Sequence, residues 1–461
     1  MATQYTEGYQ PNIFILFRST NHVSIIMVTS RGPYSYEKKF NRISKQENVG
    51  GVSIGLKKII ERDGGTWICW GDGNADHLYQ DENNNLYKIK RILLNLREKK
   101  GFYDDYSNST LWPLFHYFRE KIEHDSAAYG QYKQVNKKFA EVIKNTATSD
   151  DIIWVHDYQL SLVPYYLKEL GVKNKLIFTW HIPWVSSEFY TMLPERVEIV
   201  KSISLCNSIT FHTPKYRTNF IHSCDRIIGY DRALERKTFT FPLGIDYQSF
   251  SHEQKDLKKR PFENKKIIFS IDRLDYTKGL VERVHAIETF IKKYPEFSEK
   301  FVYLMIVTPS RIGVKEYDKL KERLEMSIGR INGLYGNLNW VPIVYMYRKI
   351  NSDILKTYYS WGDIALITPM KDGLNLVSME YVAVSKKGIL ILSEFAGVSE
   401  YLKGSIKTNP NSDDDVSDKI AMAMRMPDSE ILRRLKSMKE FLKKHDDRWW
   451  ANKILATLVK N

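Results

Sequence analysis

Thr368-Pro-Met-Lys-Asp372-Gly373-Leu374-Asn375-Leu376-Val377-Ser-Met-Glu380 is the stretch on which the fold turns. It follows the apolar run Ile364-Ala-Leu-Ile-Thr368, which reads as a buried strand. A glycine-containing loop comes next, and then a helical stretch with Glu380 near its start. Such a loop points backbone N–H groups and a helix N-terminus at one spot, which seats an anion such as phosphate. The Glu380 carboxylate, eight residues after Asp372, could hold ribose hydroxyls. The competing reading is an ordinary strand–loop–helix junction capped by Asn375.

Outward from this stretch, apolar runs alternate with helical periodicity over nearly the whole chain. Asn12–Phe17, Val23–Val28, Asp151–Val155, Leu176–Trp180 and Ser208–His212 are expected strands of the first half. Lys266–Ser270, Phe301–Val307, Ile364–Thr368 and Gly388–Ser393 are those of the second. Most lack strict polar alternation, as parallel strands buried on both faces do. The expected fold class is therefore α/β, with two doubly wound Rossmann-like domains facing across a cleft. The domains are expected at 1–245 and 246–445, joined near Pro242-Leu-Gly244-Ile-Asp246, with residues 446–461 as a terminal helical segment.

The chain has 461 residues, 43% hydrophobic and 27% charged, the composition of a soluble globular protein with more than one core. No apolar run approaches the roughly 18 residues of a membrane span. The start, Met1-Ala-Thr-Gln-Tyr-Thr-Glu-Gly8, has neither a basic nor an apolar leader region. Three separated cysteines, Cys69, Cys206 and Cys224, read as reduced thiols, so a cytoplasmic location is expected. The net charge of +14 comes from 69 basic and 55 acidic residues spread along the chain. Such a spread gives only non-specific affinity for nucleic acid, and an anionic substrate explains a positive field as well. No cluster has metal-ligand spacing, so no metal is expected.

The residues that carry chemistry follow strands. Ser270-Ile-Asp-Arg273-Leu-Asp-Tyr-Thr-Lys278-Gly279 opens a helix after a strand. Arg273 and Lys278 flank its turn and could converge on a pyrophosphate, where two fixed cations would stabilise a departing diphosphate. The plainer alternative is a surface Arg–Asp pair with a lysine in a first helical turn, where the helix dipole disfavours it. His156-Asp157-Tyr158 and His181-Ile-Pro183 each end an apolar run, where sugar hydroxyls could be held. Arg31 follows the strand from Val23, and Val49-Gly50-Gly51 precedes a helix. Arg311 offers another cation at a strand end, and Tyr103 and Trp112 could wall a sugar or pack in a core.

With these residues in hand, the chain resembles the trehalose-6-phosphate synthases, retaining glycosyltransferases of the GT-B architecture in glycosyltransferase family 20. The resemblance rests on Trp112–His116, Trp154–Tyr158, His181–Pro183, Arg273–Gly279, Arg330–Gly336, Asp372–Val377 and Ser393–Gly397. It implies an N-terminal acceptor-binding domain, a C-terminal nucleotide-sugar-binding domain and a last helix crossing back to the former. It implies transfer of glucose from a nucleotide donor, usually UDP-glucose, to glucose 6-phosphate. Arg273 and Lys278 would bind the donor pyrophosphate, Glu380 the ribose, and Gly51 would lie beside the phosphates. His181 and Asp372, with backbone of Gly373, Leu374, Asn375 and Leu376, would contact the donor glucose, and Val377 would belong to the donor site. Arg31, Tyr103, Trp112 and Arg311 would form the acceptor site, and Asp157 would meet an acceptor hydroxyl. His181, Asp157, Arg273, Lys278 and Asp372 are the expected catalytic set. The partners implied are a nucleotide sugar and a sugar phosphate, without metal or other cofactor, nucleic acid or membrane, and a homo-oligomer is compatible with them. The family's retaining reaction is drawn as front-face attack, the leaving phosphate taking the acceptor's proton. The family's His-Ile-Pro-Phe-Pro-Thr-Pro-Glu is here His181-Ile-Pro-Trp-Val-Ser-Ser-Glu188, and its Ser-Asn-Arg is Thr29-Ser30-Arg31. Loss of two prolines is expected to loosen that loop. Other phosphorylated acceptors, glycerol 3-phosphate or a cyclitol phosphate, and a non-catalytic regulatory homologue remain alternatives.

Overall fold

The computed structural model describes residues 24–40, 42–48, 51–252, 259–311 and 314–459. The strand expected at Asn12–Phe17, residues Val49 and Gly50 of the glycine pair, and 253–258 of the polar run after Ser251 lie outside them. The chain divides into two compact units: Met1–Leu243 with Asp447–Asn461, and Gly244–Asp446.

Unit 1 contains β1 (Ile25–Arg31), β2 (Tyr34–Lys39), β3 (Arg42–Glu47), β4 (Thr66–Trp70), β5 (Asp81–Asn83), β6 (Lys88–Ile92), β7 (Ile152–His156), β8 (Leu176–Thr179), β9 (Ser208–Phe211) and β10 (Thr238–Thr240). Its main sheet runs β10-β9-β8-β7-β1-β4-β6-β5. The β1, β4 and β6–β10 pairings are parallel. All five residues of β7 and all four of β8 and β9 are buried, so both faces are covered, as the continuous apolar runs require. Two features depart from an all-parallel expectation. β5 pairs antiparallel with β6, and β2 and β3 form a separate hairpin. Both are built from polar residues that need only one covered face, so they carry no long apolar run to announce them.

Unit 2 contains β11 (Lys266–Arg273), β12 (Phe301–Thr308), β13 (Ile343–Tyr347), β14 (Ile364–Ile367), β15 (Ile389–Ser393) and β16 (Ile406–Thr408), in the all-parallel order β13-β12-β11-β14-β15-β16. Every residue of β12 is buried. Together with Leu280, Val284, Ile287 and Phe290 of the helix Leu280–Lys293, β12 anchors one continuous core, in which each fully buried aliphatic side chain contributes about 1.5–3 kcal/mol.

The sheet order places β11 beside β14, where the strand order reverses. In open parallel sheets the ground beyond the C-terminal ends at such a point is where ligands bind. The helices that follow the strands start at chemical stop signals. Thr213 caps the helix Pro214–Ile228, its hydroxyl accepting from Tyr216 N–H at 3.2 Å, with proline at the first helical position and Gly229 at φ +88° beyond its end. Within unit 1 the last helix, Asp447–Leu455, docks through Trp450. Its Nε1 donates to Phe241 O at 3.1 Å, and its ring lies 5.3 Å from that of Trp154.

Candidate active site

In unit 2, three loops at the C-terminal strand ends are laced together by backbone hydrogen bonds. Met370 N donates to Thr277 O at 2.8 Å, Val398 N to Leu374 O at 2.9 Å, and Gly397 N to Asp372 O at 3.1 Å. The loop after β14 is therefore tied to those after β11 and β15. Asn375 sits at φ +86°, and its side-chain oxygen accepts from Ser378 N–H at 3.0 Å, capping the helix Leu376–Val384. Its Nδ2 donates to Asp372 Oδ2 at 3.0 Å. Gly373 and Leu374 are buried beside it, and Leu376 and Val377 form the half-buried first turn of that helix.

The same loop joins the cations. Lys278 Nζ lies 2.6 Å from Asp372 Oδ2, with only 13% and 15% of the two side chains exposed. Lys278 ends a short turn after β11, and Gly279 follows at φ +63°. A Cβ on Gly279 would stand 2.6 Å from Thr368 O, so the backbone hand and the close approach both demand glycine. Arg273, the last residue of the inner strand β11, is exposed at its C-terminal end. Arg311, half-buried at φ +47°, directs Nη1 to Asp275 Oδ2 at 3.4 Å. Asp275 is buried, and its other oxygen accepts from Thr277 N–H at 3.0 Å. Burial raises its carboxyl affinity for a proton, but Arg311, Arg273, the Thr277 N–H and Lys278 outweigh it, holding Asp275 below its ordinary value. Glu380 accepts from the buried Tyr359 hydroxyl at 2.7 Å, and burial raises its carboxyl above the usual range.

In unit 1, Asp157 follows β7 at φ +71°, ψ +170°, a region that glycine alone occupies easily. Its Oδ1 accepts from His181 N–H at 3.1 Å. Burial pushes this carboxyl from 3.8 up to about 7, against the backbone donors of His181, Tyr158 and Ile182. Three of the eight non-glycine positive-φ residues among those described are Asp157, Arg311 and Asn375. His181 is buried, and both its ring nitrogens meet other histidines at 3.0 Å.

Arg31 ends β1. Its Nε donates to Asp72 Oδ2 at 2.7 Å and Nη2 donates to the same oxygen. Its side chain is 46% exposed and ion-paired to the buried Asp72 side chain. Tyr103 lies on the π-helix Lys100–Leu111, its ring edge-on to Trp70 at 5.1 Å. Trp112 begins the next turn, buried, its ring 4.0 Å from that of His116. Gly51 is the first residue of the helix Gly51–Asp63.

The loop from His181 to Glu188 is not loose. Trp184 and Val185 are fully buried. Trp184 Nε1 donates to Ser223 Oγ at 3.0 Å, its carbonyl accepts from Asn219 Nδ2 at 2.8 Å, and its ring packs 4.8 Å from Phe220 and 5.1 Å from Phe115. An aromatic anchor does here what ring-locked φ angles would do elsewhere.

Sequence reasoning did not single out four residues that hold this arrangement: Asp275, Asp72, Trp70 and Arg283. Arg283 is fully buried. It donates to Asp272 Oδ2 at 2.7 Å, Thr368 Oγ1 at 3.0 Å and Lys278 O at 2.9 Å, fastening β11, β14 and the Lys278 turn. Asp275 was visible inside the Arg273–Lys278 motif. Asp72, Trp70 and Arg283 have no local signal, because most of their partners lie far away in sequence, Arg31 41 residues from Asp72 and Thr368 85 from Arg283. Among the described residues, no group of three or more His, Cys, Asp or Glu side chains could hold a metal ion, and no helix is long and apolar enough to cross a membrane.

Comparison with known proteins supplies the family. The sequence model of glycosyltransferase family 20 matches residues 23–460. A bifunctional trehalose-6-phosphate synthase/phosphatase of Thermoproteus tenax is 36% identical over 89% of this chain, and a UDP-forming alpha,alpha-trehalose-phosphate synthase of Dictyostelium discoideum is 34% identical over 95%. The chain spans 58% and 62% of the lengths of these two relatives. The Escherichia coli enzyme bound with UDP-2-fluoro glucose superposes with a TM-score of 0.86 at 28% identity, covering 95% of this chain and 99% of that one. The UDP-forming synthase of Burkholderia xenovorans in complex with glucose-6-phosphate does so with a TM-score of 0.86 at 27% identity, covering 95% and 100%.

Proposed function

The chain belongs to glycosyltransferase family 20, and on that premise we propose that it transfers glucose from UDP-glucose to glucose 6-phosphate with retention, giving α,α-trehalose 6-phosphate. The observation that carries this reading is the lacing of the Asp372–Leu376 loop to the cation turn. Lys278 is paired to Asp372, and Arg311 to Asp275, at the C-terminal strand ends beside the point where the order of unit 2 reverses. Cations fixed in this way suit a diphosphate, whose charge grows as the glycosidic bond breaks. In this reading Arg273 and Lys278 take the pyrophosphate, Glu380 the ribose, Gly51 lies by the phosphates, and Asp372 with Gly373–Val377 orients the glucosyl ring. Arg31, Tyr103, Trp112 and Arg311 take the sugar phosphate, and Asp157 accepts a hydrogen bond from its attacking hydroxyl. A front-face reaction needs no enzyme nucleophile. The residues position the partners and stabilise the leaving diphosphate, whose oxygen takes the hydroxyl proton. The 1–245 segment would serve the acceptor and 246–445 the nucleotide sugar, with 446–461 as a helix belonging to the first. Three buried, unbridged thiols suit the reducing cytoplasm.

The test is product formation by the purified full chain, offering UDP-, GDP- and ADP-glucose against glucose 6-phosphate, glycerol 3-phosphate and free glucose. Trehalose 6-phosphate from UDP-glucose is the expected dominant product. Turnover only with another acceptor would overturn the acceptor assignment, and no turnover with any pair would favour a regulatory homologue.

A further inference from the structure

Three imidazoles stand in line across unit 1. His156 ends β7, His181 lies two residues past β8, and His212 follows β9, and these three strands are neighbours in the sheet. His156 Nδ1 is 3.0 Å from His181 Nε2, and His181 Nδ1 is 3.0 Å from His212 Nε2. All three rings are buried, and Trp450 lies against His181 at 6.3 Å. Burial, with the neighbouring His212, depresses His156 from 6.5 to about 3. Burial and both flanking imidazoles depress His181 well below its usual value.

A neutral imidazole has one donor and one acceptor. With one proton per ring, the chain has two self-consistent orientations. If every ring carries its proton on Nδ1, the chain ends with His212 donating to Phe241 O at 3.3 Å. Leu243 N–H then loses the acceptor it has at His212 Nδ1, also 3.3 Å away. If every ring carries its proton on Nε2, Leu243 N–H keeps that acceptor. Phe241 O is served in either case by Trp450 Nε1 at 3.1 Å. The second orientation leaves one donor over, the His156 Nε2–H, which is buried and has no partner. The first orientation orphans two groups, Leu243 N–H and the bare His156 Nε2, and the second only one. Buried polar groups are rarely left unpaired, so the second is favoured, and its single orphan, an N–H, calls for an oxygen.

We propose that His156, His181 and His212 act as one oriented relay of Nε2–H donors, completed at His156 Nε2 by a hydroxyl oxygen of the transferred sugar, with His181 and His212 as positioning residues. Aligned hydrogen bonds polarise one another, so the terminal donor is stronger than an isolated imidazole. His181, with both nitrogens inside the relay, passes on this polarisation instead of offering a free nitrogen. Asp157, the residue after His156, is tied to the same relay through the His181 N–H. The proposal rests on the glucosyl-transfer reading for the identity of the oxygen, but not for the orientation.

Two experiments on the full chain separate these parts. Long-range 1H–15N spectra of histidine-labelled protein, with the three rings assigned from single His→Gln variants, read the tautomers directly. Nε2–H on all three is expected, and Nδ1–H on any of them overturns the relay. Adding UDP-glucose should move the His156 Nε2 signal. An unmoved signal overturns the sugar-oxygen assignment and leaves a resident water as the partner. In kinetics, His212→Gln keeps an N–H near the Nε2 position and should stay within about twofold of the parent, whereas His212→Leu should lower kcat roughly five- to tenfold. UDP affinity should be unchanged in both. Equal losses in the two variants, tracking thermal stability, would reduce His212 to a packing residue. If the parent itself transfers no glucose from UDP-glucose, the functional reading fails, while the spectra still decide the orientation.

Discussion

The two units solve one architectural problem with opposite electrostatics. At the strand ends of unit 2, cations meet carboxylates: Lys278 with Asp372, Arg311 with Asp275, Arg283 with Asp272. At the ends of β7 and β8 in unit 1, burial favours neutral groups, the imidazoles of His156 and His181 and a carboxyl raised to about 7. Fixed charge attracts an anion and stabilises a leaving one. Neutral, buried donors and acceptors recognise hydroxyls without the desolvation cost of a charge. The difference matches a nucleoside diphosphate on one unit and sugar hydroxyls on the other.

The sharpest way to break this contrast is to remove a cation. Lys278→Ala should lower kcat about 10²–10³-fold and weaken UDP binding, as read by steady-state kinetics and direct titration. A loss below tenfold would mean that the Lys278–Asp372 pair is structural only. Arg283 tests the support beneath it. Arg283→Met leaves Asp272 buried without its partner, and should cost about 3–5 kcal/mol of stability in urea unfolding. Arg283→Met with Asp272→Leu should recover most of that loss, because replacing both charges removes the uncompensated one. Failure of the double variant to recover would show that the bonds to Thr368 and the Lys278 carbonyl matter more than the charge. Arg311→Ala is a milder probe. It should raise KM for the sugar phosphate roughly tenfold and change UDP affinity less than about twofold. Equal effects on both would move Arg311 from the acceptor to the donor.

The contrast also explains what the sequence disclosed. In unit 2, β11, β12, β14 and β15 were legible because they are buried on both faces and read as unbroken apolar runs, β12 with all eight residues buried being the extreme, whereas the half-buried β13 and the three-residue β16 at the sheet's two edges went unseen. The Asp372–Glu380 stretch and the Arg273–Lys278 motif were legible because each site element is contiguous: a strand end, a turn with Gly279, a helix start. In unit 1, β4 and β6 went unseen. The Thr66–Trp70 run is short, and Lys88–Ile92 alternates charge with isoleucine. The clamp of Asp72 on Arg31 joins residues 41 apart, and the histidine relay draws one ring from each of three strands. Periodicity and spacing cannot register such contacts, because the sheet order that makes them exists only in the fold. The loop after His181 was misjudged for a related reason. Its missing prolines are visible in sequence, but the pocket that holds Trp184 is not.

Asp157 gives the most direct reading of unit 1. In the unfolded chain its carboxyl ionises near 3.8, and in the folded chain burial moves this to about 7. The folded state therefore keeps a proton that the unfolded state has released, so this residue contributes stability fully below about pH 4, and the contribution is lost as pH rises to about 7. The imidazoles bias stability the other way. With His156 depressed to about 3, the unfolded chain gains protons that the folded one refuses as pH falls below about 6.5. Asp157→Asn removes the first slope and keeps the second. The melting temperature of the variant minus that of the parent should thus climb between about pH 4 and 7 and level off above. Parallel melting curves across this window would mean that the carboxyl is solvated in solution, and with it would go the argument that unit 1 selects neutral groups. A climb that stops near pH 7 would place the carboxyl where it can exist in both forms at neutral pH. That poise lets it accept a hydrogen bond from an attacking hydroxyl without holding the proton that the leaving phosphate must receive.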